Sequence, residues 1–128
     1  MRIAYAIAAV LGLALIVLSL THQHAGFDES RWYSFKDGEE VSRQTGKMMF
    51  IFIASPTCPK CVEFKRFFAD EKIMSFISEK FVPIYVDVTK ERPVSVFSVP
   101  TFCVGFPGNL SCFTASSGPE LMSMLREI

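Results

Sequence analysis

The stretch Met48–Arg66, MMFIFIASPTCPKCVEFKR, decides how the rest of the chain is read. Its first part, Met48 to Ala54, is a short apolar run rich in Phe and Ile, bounded by Ser55 and Pro56. That is the pattern of a buried strand. Cys58-Pro59-Lys60-Cys61 follows. Beyond it the spacing turns helical, with apolar Val62, Phe64, Phe67 and Phe68 and with Glu63, Lys65 and Arg66 expected in solvent. Two cysteines therefore fall on the first turn of a helix at the end of a strand. A helix N-terminus carries unpaired backbone N–H groups and the positive end of the helix dipole. Both favour a thiolate over a thiol, so Cys58 is the expected nucleophile. Cys61, one turn on, is the expected resolving sulfur. Pro59 fits an early helical position, where its missing N–H has no intrahelical partner to lose. Lys60 adds a positive charge beside Cys58 that either supports the thiolate or is simply solvated.

The chain has 128 residues, enough for one domain, and 13 basic residues balance 13 acidic ones. Such a balance points away from nucleic acid and other polyanions as partners. Before the domain, Ile3 to Leu20 is uncharged and almost wholly apolar. About 18 apolar residues just cross a bilayer core as a helix. A secretory signal has a shorter apolar region and a small-x-small cleavage site. Here Gln23 stands where a small residue is wanted, so an uncleaved transmembrane anchor over residues 1–20 is favoured over a removed signal. Arg2 precedes the span, and Asp28 and Glu29 follow it, offset in part by Arg31, which favours a domain outside the cytoplasm. In a bacterium that is the periplasm, with the domain anchored at the inner membrane; after cleavage it would be secreted. Four cysteines suit an oxidising compartment.

Residues 21–31 are polar and read as a linker; His22 and His24 there read as solvated rather than as metal ligands. Trp32 to Phe35 reads as a short first strand or an aromatic anchor. Asp37 and Glu40 mark a helix start, and Gly46 its stop. Asp70 caps a second short helix after the CPKC helix, with Ile73, Phe76 and Ile77 facing inward. Phe81 to Val88 alternates as a strand, with Val82, Ile84 and Val86 on one face, and Pro83 marks a position that needs no ladder donor. Thr89 to Ser98 is a connection with one helical turn before Pro93. Val99-Pro100-Thr101 opens the next strand, and an X-Pro bond there invites a cis peptide. Pro107-Gly108-Asn109 is a turn, and Leu110 to Thr114 returns antiparallel. Ser117 and Glu120 start a last helix with Leu121, Met124, Leu125 and Ile128 on one face. The result is an α/β domain over residues 32–128, a central mixed sheet with helices on both faces.

That element order, with CPKC on a first helical turn and Val99-Pro100-Thr101 about 40 residues further on, resembles the thioredoxin superfamily. Gly46-Lys47, CPKC, Asp70-Glu71-Lys72-Ile73 and Phe81 to Asp87 are similar to its exported or membrane-tethered members, including the periplasmic C-terminal domain of the transmembrane disulfide-reductase family. The resemblance implies a thioredoxin-like fold and thiol–disulfide exchange with protein dithiol or disulfide partners. It implies that Cys58 attacks, that Cys61 resolves, and that Val99 and cis-Pro100 flank a bound substrate strand, with Thr101 beside them. No cofactor or resident metal is implied, and a monomer is expected. The chain departs from the cytosolic pattern at two places. Thr57 replaces the tryptophan before the first cysteine, and Phe52 replaces the buried aspartate that helps move the resolving thiol's proton. The second change weakens the expectation of a general reductase, not of exchange itself.

Cys103 and Cys112 form a second pair. With Pro107-Gly108 as a two-residue turn, counting outward sets Cys103 opposite Cys112 at a non-hydrogen-bonded position. There the Cα atoms come to about 4.5 Å, the short end of the disulfide range. A cross-strand disulfide and a pair of small buried thiols both fit. A four-cysteine zinc site fits less well, since the second pair lacks knuckle spacing. Two other functions use the same residues: a copper(I) metallochaperone holding the ion between the CPKC thiolates, and a redox-silent binding module.

Overall fold

The structure, a computed structural model, describes residues 26–128. The apolar run 3–20, His22 and His24 lie outside the described residues. No helix among those described is long and apolar enough to cross a membrane. The sheet is built around β1 (Met49–Ala54), all six of whose residues are buried. On one side β2 (Val82–Asp87) runs parallel to β1; on the other β3 (Thr101–Phe106) runs antiparallel, followed by β4 (Asn109–Phe113), in the order β2-β1-β3-β4. A strand that is central and covered on both faces has no polar side to show, which is why this run does not alternate.

Among the described residues, four α-helices cover the sheet: α1 (Phe35–Thr45), α2 (Pro59–Phe68), α3 (Glu71–Lys80) and α4 (Gly118–Arg126). Phe50, Phe52 and Phe102 pack against Phe64 and Phe68 of α2, Met74 and Ile77 of α3, and Leu121 and Leu125 of α4. Met49, Ile51, Ile53, Ile84 and Cys103 face the other way, toward Phe35 and Val41 of α1 and the valines of the 88–99 connection. The first layer is largely aromatic. Phe102 stacks on Phe50 at 5.9 Å and on Phe52 at 5.6 Å between ring centroids. Each such buried ring contributes roughly 1.5–3 kcal/mol.

Several boundaries differ from the sequence reading. Of the two readings of Trp32 to Phe35, the aromatic anchor holds and the strand does not: Trp32 packs into the aromatic layer, and Tyr33 alone bridges to Ile84. The reason is Ser34, whose Oγ accepts a hydrogen bond from the Asp37 N–H at 3.2 Å and so starts α1 two residues before Asp37. Gly46 ends α1 in the left-handed region at φ 74°. The segment read as linker is part of the domain from Phe27 onward, because that ring packs on Trp32, Phe52 and Tyr85. On α2 the buried stripe is Cys61, Phe64 and Phe68, so Val62 falls outside it and is 38% exposed. On α4 Met122 is buried and Ile128 exposed, since the helix ends before the last turn of the apolar repeat. On α3, Met74 joins Ile77 as the fully covered pair, with Ile73 and Phe76 half-buried. The helical turn placed before Pro93 is instead a tight turn directly after β2, where Lys90 and Glu91 donate to Asp87 O.

The β3–β4 hairpin has the register counted from its turn. Gly105 faces Leu110, and Cys103 faces Cys112. Gly108 takes φ 81° in the turn. Cys103 and Cys112 are joined by a disulfide, with Cα atoms 4.0 Å apart. Cys103 lies beneath the 88–99 connection, whereas Cys112 is exposed on the edge strand.

Candidate active site: a dithiol at a helix start

Chain leaving the C-terminal end of β1 turns at Ser55 and enters α2. Cys58 N–H donates to Ser55 O at 3.2 Å, which holds the turn. Cys58 is itself the N-cap of α2: its backbone is extended, and Cys61 N–H donates to its Sγ at 3.1 Å. A cap normally supplies an oxygen to an orphan N–H; here a sulfur fills that place. Pro59 occupies the first helical position. Both cysteines are free thiols, Cys58 half-buried and Cys61 wholly buried.

The Val99–Pro100 bond is cis, and it brings the Val99 carbonyl to 3.7 Å from Cys58 Sγ, where the thiol donates to it. Thr101 is buried, and its Oγ1 donates to Ser98 O at 2.6 Å, tying the loop on both sides of the proline. Val99, Pro100 and Thr101 are therefore gathered at the Cys58 sulfur although they lie some forty positions away in the chain. Of the two readings of Lys60, the structure fits the solvated one: the side chain is exposed, with Nζ 3.1 Å from Glu63 Oε2. Its charge is shared with that carboxylate rather than committed to Cys58. Cys103 and Cys112 belong to the opposite face of the sheet. Being bonded to each other, they cannot complete a four-thiolate metal site with Cys58 and Cys61.

Burial pushes the Cys61 thiol up to about 12 from an ordinary 9.0, and the hydrogen bond and charge of Cys58 add to the rise; a backbone hydrogen bond from Ser55 and the charge of Lys65 oppose it. Phe52, at the strand position where the resemblance expects an aspartate, is fully buried among Phe64, Phe68, Phe102 and Tyr85. At the end of β2 the hydroxyl and backbone of Thr89 hold the Asp87 carboxyl below its usual range, against its partial desolvation.

Two features escaped the sequence reading. Phe97 is fully exposed two residues before Val99, at the wall of a cavity of about 330 Å³ that Val94, Val96 and Val99 also line. A lone Phe in a loop gives no periodic signal. Lys65 is not a freely solvated lysine: its ammonium lies over the Phe27 and Tyr85 rings, at 5.6 and 5.1 Å from their centroids. Its spacing from Cys61, four residues, was the available clue.

A four-stranded mixed sheet covered on both faces, with a dithiol at a helix start and a cis-proline loop against it, defines the class of thioredoxin-fold proteins. The chain belongs to the thioredoxin-like family, whose model matches residues 31–107. It is 42% identical over 129 residues to an uncharacterized protein of Archaeoglobus fulgidus, covering 99% of this chain and 100% of that one. Its fold is similar to a thioredoxin from Thermus thermophilus, with a TM-score of 0.64 and 23% identity over 76% of this chain and 85% of that one. It is likewise similar to the germline-specific thioredoxin Deadhead of Drosophila melanogaster, at 0.61 and 18% identity over 76% and 96%. The Cys58–Cys61 pair is compatible with thiol–disulfide redox chemistry, which such folds generally perform on protein thiols and disulfides.

Proposed function

We propose that this protein is a membrane-tethered, extracytoplasmic thiol–disulfide oxidoreductase. The observation that carries the redox reading is the graded exposure of two free thiols on one helix start. Cys58 meets solvent beside the Val99 carbonyl, and Cys61 is sealed behind it. The Cys58 thiolate attacks one sulfur of a partner disulfide, and the other partner sulfur leaves as a thiolate. Cys61, after losing its proton to solvent, attacks Cys58; the Cys58–Cys61 bond forms and the second partner thiolate leaves. The partner chain lies along Val99–Thr101 as an added strand, with exposed Phe97 as its apolar contact. The reverse sequence oxidises a dithiol partner. The tether is residues 3–20. The extracytoplasmic side is supported by the charges flanking that run and by the Cys103–Cys112 disulfide, which suits an oxidising compartment.

Insulin reduction in the presence of dithiothreitol tests the chemistry. The wild-type chain accelerates precipitation of the insulin B chain, and Cys58→Ser abolishes the acceleration. Incubated in reduced form with insulin in the absence of dithiothreitol, Cys61→Ser accumulates a mixed disulfide that survives in a non-reducing gel. Undiminished activity in Cys58→Ser would refute the assignment.

A further inference from the structure

Burial makes the resolving thiol hard to ionise, and Phe52 leaves no side-chain base at that strand position to take its proton. Lys65 lies one turn beyond Cys61 on α2. Side chains four apart on a helix share a face, with Cβ atoms roughly 5–6 Å apart. Its ammonium is confined over Phe27 and Tyr85, and among the described residues it has no salt-bridge partner. Both rings pack on Phe52, so the clamp is part of the same aromatic layer that encloses Cys61. A cation over ring faces is partly desolvated and held by their negative quadrupoles. A charge so placed acts through a medium poorer in water than the surface.

We propose that Lys65 is the positioning charge of the resolving step, its ammonium stabilising the Cys61 thiolate one helical turn away. This rests on the thiol-exchange reading and deepens it. The charged and titratable groups in its surroundings include Cys58 at the cap of α2, Tyr85 and Asp87 on β2, and Lys90, Glu91 and Glu29, which line a cavity with Tyr85 and Asp87. Lys65 acts on both Cys61 and Asp87. An ammonium is no base, so its action differs from that of a carboxylate. The Cys61 proton passes to solvent and the cation lowers the energy of the anion left behind. One unit of such stabilisation raises the thiolate fraction about tenfold but lowers its nucleophilicity about threefold, leaving a net gain of roughly threefold in rate.

The test is the reaction of the reduced full-length chain with 5,5′-dithiobis(2-nitrobenzoate), followed at 412 nm across pH. Attack by Cys58 releases the first nitrothiolate. Attack by Cys61 on the mixed disulfide then releases the second and closes the Cys58–Cys61 bond. In Lys65→Met, which keeps the apolar stem, the first phase is unchanged. The second slows roughly threefold near neutrality and its pH profile moves to higher pH. Lys65→Arg retains the wild-type second phase. Should Lys65→Met fail to fold, Lys65→Gln takes its place. A second phase in the neutral variant with the wild-type rate and pH profile overturns the role of Lys65. Loss of the first phase in wild-type protein overturns the exchange reading beneath it.

Discussion

Cys58 and Cys61 stand three positions apart on one helix start, yet one sulfur is reachable from solvent and the other is packed with Phe52, Phe64 and Phe102. Helical periodicity produces that difference: the i, i+3, i+7 stripe of α2 runs through Cys61, Phe64 and Phe68, and Cys58 precedes it as the cap. Burial raises the Cys61 thiol to about 12, against 9.0 in an unfolded chain. The sign of the linkage follows. Above pH 9.0 the unfolded chain gives up this proton while the native one keeps it, so native stability is lost progressively as pH rises toward 12. Below 9.0 the contribution is complete and flat. In thermal melts of the reduced protein, the melting temperature should fall more steeply above pH 9.0 in wild type than in Cys61→Ala. Parallel curves would show that Cys61 ionises normally. The placement of Cys58 and Cys61 at a helix start was legible from the motif alone. The environment of Lys60 was not, because a helix surface offers several directions to a long side chain, and Glu63 lies within reach.

The β3–β4 hairpin is the element whose local sequence says most. Pro107-Gly108 sets the turn, and the turn sets the register that places Cys103 opposite Cys112. A one-residue slip would have sent the two side chains to opposite faces. The choice between disulfide and paired thiols stayed open in the sequence, since register brings sulfurs together without saying whether they bond. The bond spans nine positions and fastens edge strand β4 to the buried β3. Closing so short a loop in the unfolded chain contributes roughly 2–3 kcal/mol. Urea unfolding of the Cys103→Ala, Cys112→Ala double variant should show an unfolding free energy lowered by that amount and a correspondingly lower midpoint, with the Cys58–Cys61 site intact. An unchanged midpoint would mean that the hairpin is held by its strands alone. Helix α1 teaches the converse lesson. Asp37 and Glu40 look like a cap, but Ser34 captures the Asp37 N–H first, so the helix starts earlier and leaves Tyr33 only a single bridge.

For the whole molecule, the aromatic layer joins segments distant in the chain. Phe27, Trp32, Phe52, Phe68, Tyr85 and Phe102 come from five separate stretches and meet on one face of the sheet. Phe27 in that layer means that a tether through residues 3–20 would enter the domain almost directly, a few residues from the lysine clamp. The membrane proposal is checked on the full chain expressed in a bacterium. The protein should remain in the membrane pellet after alkaline carbonate washing, with its Cys58 reactive to an impermeant maleimide from the periplasmic side. Release into the carbonate supernatant would remove the anchor.

By itself the sequence determined the order of most elements, the buried central strand, the dithiol at a helix start, the proline-led third strand and the hairpin register. All of these are carried by short-range signals: periodicity, caps and turn residues whose physics acts over a few positions. Only the tertiary structure decided that Phe27 belongs to the core, that Phe97 stands open beside Val99, that Lys60 pairs with Glu63, and that Lys65 is caged by two rings next to a buried sulfur. Those depend on which side chains from remote segments meet, and packing in three dimensions leaves no regular spacing along the chain.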